Sequence, residues 1–146
     1  GRIDLNDLQA REAYGFSKAY SQSKLANLLF AFELQRRLAA AGAETLAAAA
    51  HPGWTGTDIL HLPRTVQRMN AVLGQSPEAG ALPILYAATA PDVQGGDYYG
   101  PIGFMEIRGA PHKVGASKES RDQATAFRRW AVSEELTGVQ FSALGR

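Results

Sequence analysis

Tyr20 and Lys24, in the run Tyr20-Ser21-Gln22-Ser23-Lys24, have the types and spacing for proton-transfer chemistry. Residues four apart on a helix lie one turn apart on the same face, so an ammonium at Lys24 comes within reach of the Tyr20 hydroxyl. A free phenol titrates near ~10, and a neighbouring positive charge favours the phenolate. Bringing a phenol down to about 7 takes about 4 kcal/mol, more than one screened surface charge supplies. Such a pair therefore needs a partly desolvated cleft and a cationic cofactor beside it. It can then protonate a carbonyl oxygen while another group delivers hydride, or take the proton back in reverse.

The spacing alone is weak: Tyr14 and Lys18 repeat it, and the chain has five tyrosines. Context separates the two pairs. Tyr14 is followed by Gly15 and lies in the approach to an apolar run, whereas Tyr20 and Lys24 enter Leu25-Ala26-Asn27-Leu28-Leu29-Phe30 directly. A second feature is Pro52-Gly53, which can end a strand and turn the chain so tightly that main-chain groups approach a flat ring, with the Thr57 hydroxyl nearby. On the residues alone, a plain turn is the commoner reading. His51 suits a structural, hydrogen-bonded role better than acid-base work. His61 and His112 are isolated, and no His/Asp/Glu spacing resembles a metal site. Ser21 and Ser23 lack the paired base of a serine hydrolase. Trp54, Ile59, Leu60 and Met69 suit an apolar pocket and core packing about equally.

Asp4-Leu5-Asn6-Asp7-Leu8, then Ala19 through Phe30, then His51-Pro52-Gly53-Trp54-Thr55-Gly56-Thr57, occur in an order and at spacings that resemble the C-terminal half of a short-chain dehydrogenase/reductase. The flavour is that of the retinol-dehydrogenase and protochlorophyllide-reductase-like branch, and Arg129 through Gly138 extends the likeness almost to the end. The resemblance implies an α/β fold, the C-terminal portion of a Rossmann-type doubly wound parallel sheet. It implies Tyr20 as proton donor or acceptor and as a cofactor contact, and Lys24 as the group that favours the phenolate and binds the nicotinamide-ribose hydroxyls. It implies that Pro52, Gly53, Trp54 and Thr57 hold the nicotinamide carboxamide, and it reverses the odds on Pro52-Gly53 in favour of function. The implied cofactor is NADP(H) or NAD(H), leaning to NADP(H), and the implied substrate is a small apolar carbonyl or alcohol. The Gly-rich phosphate-binding turn, the acidic or basic residue that discriminates the two cofactors, and the family's catalytic serine do not occur in the 146 residues. The expectation is one partial domain over 1–146, inactive alone, from a longer enzyme. The alternative is a non-catalytic interaction or apolar-ligand-binding module derived from the same fold.

These residues must be positioned by a long helix over roughly 17–41, closed by Gly42, with 1–15 a polar connecting segment. Leu25 to Phe32 is apolar nearly all round and must be buried on more than one side; the resemblance offers a second subunit, a homo-oligomer, for one of them. Glu44 to Ala50 has helical propensity, but the resemblance places a buried parallel strand before His51. Residues 58–73 carry a helical pattern broken by Pro63. Ser76-Pro77-Glu78 starts a helix running to about Thr89, with Pro83 as a kink point. Asp97 to Arg108 reads as the last strand and its continuation. A closing helix over about 120–136 takes Ser120 and Gln123 as a capping box, with Gly138 beyond its end. About two strands among four helices make a sheet that is marginal without partners.

Composition agrees: 45% hydrophobic, 20% charged, net charge +1 and no cysteine describe one ordinary globular unit without a disulfide framework. The balance gives no support for nucleic-acid binding. No run reaches the ~18 apolar residues of a membrane span, and no signal peptide is visible. The expected location is the cytoplasm, although Gly1 is not a methionine and leaves room for an anchor or signal upstream.

Overall fold

The period of the apolar residues is visible in how the chain divides between helix and strand. The computed structural model describes residues 2–5, 7–12, 14–55 and 74–144. In chain order the elements are α1 (Phe16–Ala40), β1 (Ala49–Ala50), α2 (Pro77–Thr89), β2 (Tyr98–Pro101), β3 (Pro111–Lys113) and α3 (Gln123–Thr137). Single 3-10 turns lie at Phe104–Glu106, Glu119–Arg121 and Ser142–Leu144. The chain forms two units, residues 1–47 with 116–146, and residues 48–115.

In the first unit, α1 ends as the sequence predicts. Gly42 sits at φ 65, its N–H bonds Ala39 O and the Ala43 N–H bonds Leu38 O, a complete Schellman closure. The helix buries one stripe, Gln22, Leu25, Ala26, Leu29, Phe32, Glu33 and Leu38. Leu25 and Leu29 form the core with Ala126 of α3, and Ile3 packs against them. Phe30 points elsewhere but lies flat on the buried Trp130 ring, centroids 5.2 Å apart at 9°. Trp130 is the hub of this side: Arg37 stacks over it at 4.5 Å, Phe141 meets it at 5.6 Å, and its indole N–H donates to Glu134. Buried Glu33 would be costly alone, and Arg36 and Arg37 pair with it.

The segment before α1 is more ordered than a polar connector. Gln22 accepts the Asp4 N–H at 3.1 Å and donates to Leu8 O at 3.2 Å. The Asp7 carboxylate accepts the Arg11 and Glu12 amides. The start of α3 corrects the expected capping box. Asp122, not Ser120, is the N-cap and accepts the Ala124 and Thr125 amides, while Ser120 is buried in the preceding 3-10 turn. Asp122 wins because its second carboxylate oxygen also takes the Thr125 hydroxyl, at 2.8 Å. Gly138, at φ 70, closes the helix as expected.

In the second unit, β1 pairs parallel with β2 (Ala49↔Tyr98, Ala50↔Tyr99), so the alanine run does yield a strand, shorter than 44–50. The sheet has three strands in the order β1-β2-β3, and β3 is antiparallel. It is thus a small mixed sheet, and the expected continuation of the last strand through Arg108 is not one. The strand stops at Pro101, the chain turns through Met105 and Glu106 at φ 51 and 56, and it returns as β3. Helix α2 begins as expected: the Ser76 hydroxyl accepts the Ala79 amide, with Pro77 in the first turn and Pro83 buried inside the helix. The patterned segment 58–73 lies outside the described residues.

Behind the sheet, buried Asp97 accepts the Tyr99 hydroxyl at 2.9 Å and the Gln94 N–H at 3.1 Å, and pairs with Lys113 at 2.5 Å. Burial alone would raise the Asp97 carboxyl, but the bonds from Lys113, Gln94 and Tyr99 outweigh it and hold the carboxyl below its ordinary range. Burial, then the bond to Asp97, pushes the Tyr99 phenol up to about 12.

Two outcomes follow. A carboxyl depressed in the folded state adds stability above its unfolded value near ~3.9, and that stability is lost as pH falls through the folded value. Urea midpoints measured against pH should therefore drop below about pH 4, and Lys113→Met should flatten that drop. Asp122→Ala should cost about 1 kcal/mol of stability in the same measurement.

Candidate functional site

On α1 the buried stripe decides which way the chemistry-bearing residues face. With Gln22, Leu25 and Leu29 turned inward, Tyr20 and Lys24 share the outward face, and Tyr20 is 50% exposed. The Lys24 ammonium lies over the Tyr20 ring, 5.4 Å from its centroid. Phe16, one turn earlier, stacks on the other end of the row, its ring 6.2 Å from Tyr20 at 18°. Ser23 spends its hydroxyl on Tyr20 O, at 2.8 Å. Among the described residues, no carboxylate pairs with Lys24.

The repeated spacing at Tyr14 and Lys18 has a different outcome. Tyr14 precedes the helix and is 73% exposed, while Lys18 is on the helix and pairs with Asp4 at 3.4 Å. The two residues are therefore not one turn apart on a common face. An N-terminal carboxylate takes the charge that would act on the phenol.

The Pro52-Gly53-Trp54 turn belongs to the second unit. Gly53 is at φ 65, and a Cβ there would fall 2.5 Å from Ile107 O and 2.8 Å from Glu106 O. Most of the polar groups of the turn are already engaged. The Gly53 N–H donates to His51 Nδ1, the Trp54 N–H to Ile107 O, and Trp54 O accepts the Gln75 N–H. Pro52 O accepts both the Thr55 hydroxyl and the Gln75 side-chain amide. The Trp54 side chain is exposed, and Thr57 lies outside the described residues.

His51 is hydrogen-bonded on both ring nitrogens, to Gly53 and, through Nε2 at 2.9 Å, to Glu106. The Tyr98 ring lies 5.2 Å away, and burial followed by the Glu106 charge raises the Tyr98 phenol. Glu106 and Gln75 are the residues that sequence reasoning missed. The signal for Glu106 was the glycine spacing at 100, 103 and 109, which marks a returning loop rather than a strand. Nearby, an open groove of about 700 Å³ is lined by Gln75, Leu82, Phe104, Ile107 and Arg108 among others. Ile59, Leu60 and Met69, the other pocket candidates, lie outside the described residues. Among the described residues, no cluster of His, Asp or Glu could hold a metal ion, and no helix is long and apolar enough to cross a membrane.

The chain as a whole is similar to known proteins. The chain is 37% identical over 146 residues to polyprenol dehydrogenase of Mus musculus, an alignment covering 95% of this chain and 41% of that protein. It is 31% identical to retinol dehydrogenase 14 of Homo sapiens, again over 95% of this chain and 41% of the relative. A crystal structure of an uncharacterized protein from Mycobacterium paratuberculosis matches with a TM-score of 0.75 and 42% identity, over 97% of this chain and 47% of that one. No protein-family model matches the chain. The chain is a relative of the short-chain dehydrogenase/reductase family, homologous to retinol and polyprenol dehydrogenases over part of their length. It spans about 41% of the length of those relatives.

The residues on α1 fit the nicotinamide ribose such a fold implies. An ammonium with no carboxylate partner among the described residues and a phenol, side by side on an exposed face, offer donors to two neighbouring hydroxyls. In the turn, the Trp54 main-chain N–H and carbonyl are already engaged, so a carboxamide there would meet the exposed Trp54 side chain instead. Gly53→Ala should destabilise the second unit by at least ~1–2 kcal/mol, because the left-handed backbone alone costs about that much and the new methyl would strike two carbonyl oxygens. Denaturant unfolding measures it.

Proposed function

We propose that this chain supplies the acid/base half of an NAD(P)(H)-dependent oxidoreductase that interconverts a carbonyl and an alcohol. The observation that carries the reading is the Lys24 ammonium over the Tyr20 ring on the outward face of α1. In the reducing direction Tyr20 gives its phenolic proton to the substrate oxygen, and in the oxidising direction it takes the proton back. Lys24 would bind the ribose hydroxyls and so orient the ring of the cofactor beside Tyr20. Pro52, Gly53, Trp54 and Thr57 flank the carboxamide, with the Trp54 side chain as the exposed contact. The cofactor, when bound, supplies or accepts the hydride. By resemblance it is NADP(H) or NAD(H), with the lean towards NADP(H), and the upstream part of the enzyme brings the phosphate-binding turn and the serine that polarises the carbonyl.

The substrate class is a small apolar carbonyl or alcohol. The names of the relatives, polyprenol and retinol dehydrogenases, point to apolar alcohols, and the apolar side chains Leu82, Phe104 and Ile107 of the groove suit such a ligand. That same groove favours the second reading, an apolar-ligand-binding module without turnover. A cytoplasmic location and a homo-oligomer through the helix around Leu25–Phe32 complete the proposal, with exposed Asn27 and half-buried Leu28 and Ala31 on the surface left for a partner.

In the full-length enzyme, Tyr20→Phe should lower kcat by about 10²- to 10⁴-fold with dinucleotide affinity largely kept. Equal turnover with phenylalanine at 20 would sink the acid/base role, and binding of substrate without any turnover by the unaltered enzyme would select the module. The 146-residue chain by itself should show no enhancement of reduced-nicotinamide fluorescence, and micromolar binding in that titration would show that the missing turn is dispensable.

A further inference from the structure

We propose that Glu106 is a positioning residue, which sets the Pro52-Gly53-Trp54 turn by selecting the tautomer of His51. Its catalytic consequence rests on the reading of that turn as part of the cofactor site.

The argument begins with the Gly53 N–H, which donates to His51 Nδ1 at 3.2 Å. An imidazole nitrogen that accepts carries no proton, so the neutral ring holds its proton on Nε2. Nε2 lies 2.9 Å from Glu106 Oε2, and the carboxylate accepts that proton's hydrogen bond. Moving the proton to Nδ1 would break both bonds together, leaving N–H against N–H at Gly53 and a lone pair against a carboxylate at Glu106. Protonating both nitrogens would likewise expel the Gly53 amide. The groups facing the ring are Glu106, the Tyr98 phenol ring and the backbone of Gly100. A Cβ at Gly100 would collide with the imidazole, so the ring lies directly against β2.

Glu106 reaches the ring from a backbone that side chains avoid. Met105 and Glu106 stand consecutively in the left-handed region, at φ 51 and 56. Strain of this kind persists where the surroundings over-determine it, and it gathers at functional sites. The same loop also receives the turn through its main chain, since Ile107 O takes the Trp54 N–H at 2.8 Å. Turn 52–54 and loop 104–107 are therefore fastened twice, once through the Glu106–His51–Gly53 side-chain relay and once through Trp54 and Ile107. Only the first fastening depends on a protonation state.

The test uses the full-length protein with ¹⁵N-labelled histidine. In the neutral ring the His51 nitrogen shifts should report the proton on Nε2, and a neutral ring protonated on Nδ1 would overturn the proposal. Glu106→Ala should speed hydrogen exchange of the Gly53 amide by about tenfold, the worth of one hydrogen bond. Glu106→Gln, whose carbonyl oxygen still accepts from Nε2, should restore it. Unchanged exchange in the alanine variant would refute the relay. Should that variant not fold, the wild-type tautomer and the exchange rate in Glu106→Gln decide. In turnover assays Glu106→Ala should raise KM for the dinucleotide about tenfold with kcat little changed, while Glu106→Gln stays near wild type. A fall in kcat at constant KM would overturn the positioning role. If instead Tyr20→Phe is fully active, the enzyme reading fails while the tautomer and exchange results stand on their own.

Discussion

The site on α1 depends on one constraint, the burial of a single stripe of that helix. Leu25, Leu29 and Phe32 must leave water; Leu25 and Leu29 do so against Ala126 and Ile3, and Phe32 is buried on the same stripe. Burying side chains of this size stabilises by about 1.5–3 kcal/mol each, far more than any interaction available to Tyr20 or Lys24. The rotation of α1 is thereby fixed by residues that take no part in chemistry. Because the helix turns 100° per residue, Tyr20 and Lys24 then face outward and Gln22 between them faces inward. Gln22 uses that direction to tie down the segment carrying Asp4 and Leu8, and Asp4 in turn occupies Lys18. The Tyr14–Lys18 spacing loses its ammonium through the same packing that leaves Lys24 open.

The second unit solves a different problem. A two-residue β1 makes few ladder bonds, and the strand before the Pro52-Gly53 turn has to be held some other way. The chain does this with polar groups: Gln75 binds Pro52 O and the Gly109 amide from one side chain, and His51 joins Gly53 to Glu106. On the far side, Asp97 gathers Tyr99, Lys113 and the Gln94 amide. Each is a buried or half-buried polar group whose cost is offset by hydrogen-bonded and ionic partners, some from neighbouring residues and some from distant ones.

Legibility followed the range of the interaction. The close of α1 at Gly42, the Ser76-Pro77 start of α2 and the end of α3 at Gly138 are local backbone rules, and each stands where the sequence predicts. Ser120 was a plausible cap by its spacing to Gln123, but Asp122 holds two amides and a hydroxyl within three residues, and the stronger acceptor won. Residues 102–108 misled because alternating apolar residues between glycines suit a strand. The glycines at 100, 103 and 109 mark a returning loop, but nothing local announces that its Glu106 carboxylate meets a histidine 55 residues earlier.

By itself the sequence determined the helix that carries Tyr20 and Lys24, the turn at Pro52-Gly53 and the kinship with retinol and polyprenol dehydrogenases, because periodicity, capping and motif spacing are written in neighbouring residues. Only the tertiary structure decided which Tyr-x-x-x-Lys pair keeps its ammonium, that the Trp54 main chain is spent inward, and that Glu106 governs His51. Those outcomes turn on hydrogen bonds and ion pairs between residues far apart in the chain, whose partners no local pattern specifies.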